Sequence, residues 1–249
     1  MPTPSPDEAS VAFFGAVDSR PYLFYMIVSL LSAQRFHPAA GYFVLVPAGK
    51  SDEWGPYAEQ LSGSTVRLMD LPAAALDNFA APDGGARYSR FTFHRHAVPQ
   101  LLGRRGYAYS INLDPDVLCT RPWDLSVLTQ VQLIAGRRVG STKRTLEWLQ
   151  AMVGGECITE SATGARQPCS AAVVEARRAT AKLMLTDGSL GVTPSSLRQT
   201  LELNGGVLVF NNLRAAREDW LSKCLTLYRH VGHIVEGDQV IIQSKMYSG

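Results

Sequence analysis

Short apolar runs alternate along this chain with longer segments of helical pattern, and that alternation restricts the fold more than any other feature. Residues 10–17 read SVAFFGAV and run into Asp18-Ser19-Arg20-Pro21, the pattern of a buried strand followed by a turn. Residues 22–35 then read as a helix, 41–47 as a second strand, 54–61 as a short helix and 65–70 as a third strand. Strands that alternate with helices predict an α/β fold, with a mostly parallel central sheet flanked by helices on both faces.

The pattern continues downstream. Residues 87–105 contain a helical stretch with Pro99 as its kink or boundary. Residues 107–113 alternate, with Tyr107, Tyr109, Ile111 and Leu113 on one side and Ala108, Ser110 and Asn112 on the other. A period of two is a strand. Residues 131–136 read as another strand, and 141–153 as a helix with Ser141 as N-cap. Residues 154–168 lack periodicity and read as a mobile loop, and 171–185 look helical. Residues 205–211 (GGVLVFN) read as a buried strand. Asn212 is expected to cap a helix reaching about residue 230, with Leu213, Ala216, Trp220, Cys224 and Tyr228 on one stripe. Residues 237–246 form a last helical or loop segment.

Composition narrows the class. Hydrophobic residues make up 46% of the 249, too many for a disordered chain. The formal net charge is +2, which argues against broad nucleic-acid binding. Cys119, Cys157, Cys169 and Cys224 are too scattered for a disulfide scaffold or a Cys-x-x-Cys site. The Pro-rich start lacks the basic region of a signal peptide. The longest apolar run, residues 22–31, is about half of the ~20 residues a membrane span needs. These features predict a soluble, cytoplasmic chain with a flexible stretch over residues 1–9 and a single domain over 10–249. Two halves, about 10–120 and about 121–249, are expected within it.

Asp114-Pro115-Asp116 is the most informative motif. It follows the period-two strand, at the edge where ligands of open α/β sheets gather. Two carboxylates one residue apart both reach a divalent cation if the backbone turns between them, and Pro115 favours that turn. Hard oxygen ligands suit Mn²⁺ or Mg²⁺, ions that commonly bridge to a diphosphate. The same tripeptide also serves ordinary turns, where Asp hydrogen-bonds its own backbone.

Four blocks in order resemble the GT-A glycosyltransferases, and within them family 8, the group of glycogenin-like and lipopolysaccharide galactosyl- and glucosyltransferases. They are Ala16-Val17-Asp18 closing the first strand, Tyr88-Ser89-Arg90 opening a helix, the segment 109–118 (YSINLDPDVL), and the segment 203–211 (LNGGVLVFN) followed by Gly237-Asp238-Gln239. The third is similar to the family's LYLDADVLV metal motif, the fourth to its FNAGVLLIN and DQD segments. The resemblance implies a metal-dependent enzyme that moves a hexose from a UDP-sugar to an acceptor hydroxyl, with retention of configuration. The acceptor is a glycan, a lipid or a protein; neither nucleic acid nor a membrane span is implied.

The resemblance also implies site roles. Ala16, Val17 and Asp18 hold the uridine, with Asp18 accepting from uracil N–H. Arg90 offers its guanidinium fork to the diphosphate. Asp114, Pro115 and Asp116 form the cation site, with Asp114 and Asp116 as ligands. Asn204 meets sugar hydroxyls, and Asp238 and Gln239 lie near the anomeric carbon; an inverting relative would use Asp238 as a base. Each has a plainer alternative: a surface ion pair for Arg90, a loop cap for Asn204, an N-cap for Asp238. Tyr88 is expected to pack, and Trp123 is the tryptophan expected nearest the site. His94 and His96, two apart, fall on different helix faces and do not share a metal. His230 and His233 read as a solvated helix end.

The chain departs from the family in three places. Val240 replaces the second acid of the DQD segment, Ser19-Arg20 replaces the residues usual after the first Asp, and the late His-x-x-Gly-x-Lys-Pro-Trp-like segment has no counterpart before Gly249. The expectation is a chain short at its C-terminus, or a site completed by another group. Two other functions compete: a non-catalytic nucleotide-sugar-binding module on the same fold, and a sugar nucleotidyltransferase. The latter lacks its usual Gly-rich loop after the first strand.

Overall fold

In the computed structural model, which describes residues 6–72, 94–131, 133–138, 154, 158–160, 166–168, 171, 174, 175, 178, 203–222, 224 and 225, the apolar runs become a six-stranded sheet. The strands are β1 (Val11–Ala16), β2 (Gly41–Pro47), β3 (Arg67–Leu71), β4 (Tyr109–Leu113), β5 (Ile134–Arg138) and, late in the chain, β8 (Leu203–Asn211), in the order β3-β2-β1-β4-β8-β5. β3, β2, β1 and β4 run parallel, and β8 lies antiparallel to β4. The helices are α1 (Arg20–Gln34), α2 (Lys50–Ser62), α3 (His94–Gly103) and α4 (Asn212–Arg217). The fold class matches the expectation: a mostly parallel sheet flanked by helices.

Both faces of the central strands are buried. On one face Val11, Phe13, Tyr42, Val44, Val46, Ile111 and Leu113 pack with Leu23, Met26, Ile27 and Leu30 of α1 and Trp54 and Ala58 of α2. On the other, Phe14 meets the ring of His94 at the start of α3 edge-on and lies near Phe210 of β8. This two-sided burial is why β1 reads as a continuous apolar run. β4 differs: its alternation is real, yet Ser110 and Asn112 on the second face are as deeply buried as Ile111 on the first. Tyr107 leaves the alternation, because the strand begins at Tyr109 and the Tyr107 ring packs edge-on to Phe43.

Several boundaries differ from expectation. α2 starts earlier, at Lys50, because the Asp70 carboxylate at the end of β3 accepts from both the backbone N–H and the hydroxyl of Ser51. α3 runs through Pro99 rather than ending there; its whole first turn and a half is buried, and packing holds it. The cap after β8 is Asn211, whose side chain accepts from the Arg214 N–H, while Asn212 is drawn into the core. α4 stops at Arg217, before Asp219 at φ 49°, and helix resumes at Trp220; the expected stripe holds in part, with Trp220 and Cys224 buried but Leu213 and Ala216 exposed. The expected loop over 154–168 contains a hairpin, with β6 (Ile158–Glu160) antiparallel to β7 (Arg166–Pro168). Strands of three residues are too short to announce a period. The helix expected over 141–153 and the segment 237–246 lie outside the described residues.

The chain divides into two compact units. One comprises Met1–Ala80, Ser89–Arg137 and Asn204–Leu221 and holds the sheet with its helices; the other comprises Ala81–Tyr88, Arg138–Leu203 and Ser222–Gly249 and holds the β6–β7 hairpin. Among the described residues, no helix is long and apolar enough to cross a membrane.

The packing of α1 and of α3 is open to measurement. A Cβ on Gly15 would sit 2.0 Å from Met26 Sδ of α1 and 2.8 Å from the Leu113 carbonyl oxygen, so a side chain there would displace the Met26 tip and press on the β4 backbone. Gly15→Ala is expected to cost about 1–3 kcal/mol, a fall in Tm of roughly 5 °C by calorimetry. His96 is fully buried against Trp220, and burial, with the charges of Arg95 and His94 adding to it, holds its pKa well below 6.5. The folded chain keeps this ring neutral while the unfolded chain protonates it, so stability falls as pH drops below the unfolded value of 6.5. The Tm of His96→Phe is expected to change less between pH 7.5 and 5.5 than that of the parent.

Candidate active site

Three segments meet at the carboxyl edge of the sheet, and register puts them there. β1 and β4 are parallel with Phe14 opposite Asn112, so the residues after both strands emerge on the same edge. β8 is antiparallel with Val207 opposite Leu113, so its beginning, Asn204-Gly205-Gly206, arrives at that edge too. The Asp114 N–H donates to the Gly206 carbonyl at 2.9 Å, extending the β4–β8 ladder into the acidic motif.

Asp114-Pro115-Asp116-Val117 closes as a turn, with the Val117 N–H donating to the Asp114 carbonyl at 3.0 Å. The Ser29 hydroxyl of α1 donates to the same carbonyl at 3.4 Å. Backbone groups thus make the turn, and Pro115 at its second position fits the fixed φ such turns need. The Asp114 side chain is left for other partners. Its Oδ1 lies 3.7 Å from an Arg95 guanidinium nitrogen on α3. Arg95 is buried and Asp114 half-buried, whereas Asp116 is exposed and makes no hydrogen bond among the described residues.

Burial raises the Asp114 carboxyl above the usual carboxylate range. The Arg95 guanidinium opposes that rise, the Asp116 carboxylate adds to it, and the Asn112 hydrogen bond opposes it. Two carboxylates, one partly desolvated and one in solvent, offer hard oxygen donors on one turn. That donor set fits Mn²⁺ or Mg²⁺, which take one or two protein carboxylates and complete their shell with water or phosphate. Among the described residues no three His, Cys, Asp or Glu side chains cluster as a metal site.

Asp18 is exposed in the turn between β1 and α1, Ala16 is part-buried at the strand's end, and Val17 is buried with its N–H donating to the Leu45 carbonyl. Asn204 is in β8 at the same edge. Arg90, Asp238 and Gln239 lie outside the described residues, as do Tyr88, His230 and His233. Arg20 sits over the ring of Tyr57 at 4.9 Å. The Trp123 ring packs against Phe13, and its backbone N–H donates to His37 Nε2 at 3.1 Å. His94 and His96 do part company, His94 toward Asn112 and His96 toward Trp220.

Arg95 is the residue beside the acid pair that sequence reasoning passed over. A signal for it exists: three consecutive basic residues, His94-Arg95-His96, open an otherwise apolar helix, and a buried guanidinium requires an acid nearby.

No protein-family model matches the sequence, and neither does any curated protein. Solved structures do match in fold. The galactosyltransferase LgtC, in complex with donor and acceptor sugar analogues, superimposes with a TM-score of 0.57 at 17% identity, over 95% of this chain and 70% of that one. An active-site mutant of LgtC gives 0.52 at 16% identity, over 95% and 70%. Core-mannan synthase A of Aspergillus fumigatus, in a Mn/GDP form, gives 0.54 at 11% identity, over 96% and 69%. The chain has the GT-A fold.

The two charged neighbours of Asp114 act on it with opposite sign, which is testable. In a carbon-detected NMR titration of the carboxyl groups, Arg95→Met is expected to move Asp114 further up and Asp116→Asn to move it down. An Asp114 carboxyl unmoved by Arg95→Met would dismiss the contact.

Proposed function

We propose that this chain is a metal-dependent glycosyltransferase that moves a hexose from a UDP-sugar to an acceptor hydroxyl. The observation that carries this reading is the Asp114-Pro115-Asp116 turn at the carboxyl end of β4, with Asp114 beside Arg95 on a GT-A fold. Asp114 and Asp116 hold the cation, Mn²⁺ or Mg²⁺. When bound there, it supplies neutralisation of the charge that grows on the leaving nucleotide diphosphate.

The chain's own residues supply positioning. Ala16, Val17 and Asp18 line the end of β1, where the exposed Asp18 carboxylate accepts from the base N–H. Arg90 reaches toward the diphosphate. Arg95 favours the anionic form of Asp114 against burial, so the acid is readier for a cation. Asn204, brought to the same edge by β8, hydrogen-bonds the sugar. Asp238 and Gln239 act near the anomeric carbon, with configuration retained as the family 8 resemblance implies. The acceptor is a glycan, lipid or protein hydroxyl.

The test is a panel of nucleotide sugars scored for hydrolysis with Mn²⁺, since transferases slowly hydrolyse their own donor when no acceptor is present. GDP-sugars belong in it, because core-mannan synthase A shares the fold in a Mn/GDP form. Asp114→Asn and Asp116→Asn are each expected to lower turnover on the order of 10²-fold or more at unchanged far-UV circular dichroism. Full activity in both would defeat the assignment. Saturable UDP binding without turnover of any donor would make the chain a binding module instead.

A further inference from the structure

At the amino edge of the sheet, opposite the acid turn, hydrogen-bond donors gather without acceptors to match them. Gly41 begins β2, Arg67 begins β3, and Arg105 and Tyr107 lie in the link from α3 to β4, so parallel pairing brings all of them to that edge. Phe43 of β2 is their common floor. The Arg67 guanidinium lies over its ring at 4.5 Å, that of Arg105 is 5.9 Å from the same centroid, and the Tyr107 ring meets it edge-on at 5.4 Å. The ring is buried, whereas both arginines are exposed. Gly106 stands between Arg105 and Tyr107 at φ 91°, and the turn it allows brings both side chains to one ring. A Cβ on Gly41 would sit 2.5 Å from Tyr107 Oη, so the phenol occupies the space a side chain would take.

Arg67 Nη2 donates to Tyr107 Oη at 2.9 Å. A guanidinium only donates, so the phenol oxygen accepts here and its own proton is left to give. Among the described residues no carboxylate pairs with Arg67 or Arg105, and neither side chain makes a hydrogen bond besides that to Tyr107. We propose that Arg67, Arg105 and Tyr107 bind a phosphate group that carries two negative charges. Two guanidiniums match a dianion, whereas a single carboxylate would match only half their charge. A planar fork engages phosphate oxygens in pairs, and the phenol O–H adds one more donor. Covering Phe43 needs only the arginine stems. Placing two positive heads at one ring adds repulsion, which a bound dianion turns to attraction. The ring beneath and the bond to Tyr107 hold the Arg67 fork before a ligand arrives, which lowers the ordering cost of binding. The site shares no residue with the acid turn, so it stands apart from the reading of Asp114 and Asp116.

The experiment follows the arginine Nε–H signals of the full chain by NMR while inorganic phosphate replaces chloride. Ionic strength is held constant and low, because salt screens exposed charges. The Arg67 and Arg105 signals are expected to shift together and to saturate in the millimolar range. Arg67→Gln and Arg105→Gln are each expected to weaken binding about 5–10-fold, and Tyr107→Phe about 2–5-fold. Arg104→Gln removes the same charge one residue away, from a side chain that does not meet the ring, and is expected to stay within about 2-fold of the parent. A second arm separates the sources of such a group, using phosphatidylcholine vesicles with and without phosphatidic acid. Retention only on phosphatidic acid assigns the site to a lipid headgroup. Saturation by phosphate without retention assigns it to a soluble phosphate ester.

Shifts that never saturate overturn the site, as does equal weakening by Arg104→Gln and Arg105→Gln, since both mark an anion drawn to net charge alone. Vesicle retention that survives Arg67→Gln and Arg105→Gln overturns it as well. Melting temperature is recorded for each variant. Should Arg67→Gln loosen the packing on Phe43 and fail to fold, Arg105→Gln decides, because the Arg105 side chain makes no hydrogen bond among the described residues.

Discussion

The buried polar face of β4 is the constraint on which the rest of the site depends. A central strand covered on both sides normally presents apolar residues to both, because an unsatisfied polar group in the interior costs about 1–3 kcal/mol. Ser110 and Asn112 break that rule and must therefore be matched. Ser110 donates to Asn212 Oδ1 at 2.6 Å, and Asn212 in turn donates to the Tyr107 carbonyl at 3.0 Å. Asn112 is matched by His94. These bonds are directional where apolar packing is not, so they fix where α3 and α4 lie on the sheet. The position of Arg95 beside Asp114 follows from them.

The same register assembles the edge. Parallel pairing of β1 and β4 delivers Asp18 and Asp114 to one side, and antiparallel β8 returns the Asn204-Gly205-Gly206 segment to it. Residues far apart in sequence thus become neighbours through one backbone bond, Asp114 N–H to Gly206 carbonyl. α1 supports the turn through the Ser29 hydroxyl, while the Met26 tip fills the space left at Gly15. Ser32, one turn further along the helix, accepts the Cys119 N–H at 2.8 Å and ties down the segment that leaves the turn. Two serines of α1 thus hold the backbone on either side of the acid pair.

Much of this is legible without the structure, for identifiable reasons. The parallel half of the sheet is written in apolar runs, which two-sided burial produces directly. The acid turn is legible because Pro115 and the end of a period-two strand coincide. What is not legible is tertiary. Arg90 and Arg95 fall in the same helical stretch of the sequence, and no periodicity says which of them faces Asp114. Asn211 and Asn212 are both good caps; the buried hydroxyl of Ser110, distant in sequence, claims the second and leaves the first to cap α4. The packing of Trp123 is another case. Closeness in sequence to Asp116 says nothing about the stacked rings of Phe13, Tyr42 and His37 that receive it.

The electrostatics of Asp114 sharpen what the near-neutral net charge conceals. A carboxylate fully satisfied by a bidentate arginine would be a structural ion pair, with little to gain from a further cation. Arg95 at 3.7 Å is not that partner: it offsets part of the burial cost, and the carboxyl still lies above its usual range. Asp116, two residues on, adds repulsion that a positive charge between the two acids removes. The turn therefore holds unfavourable charge, of the kind that the divalent ion proposed for it would relieve. Whatever binds the folded turn and not the unfolded chain also stabilises the fold. Under the proposed function, cation affinity and local order at the end of β4 are thus two expressions of the same imbalance, which the buried Arg95 guanidinium offsets in part.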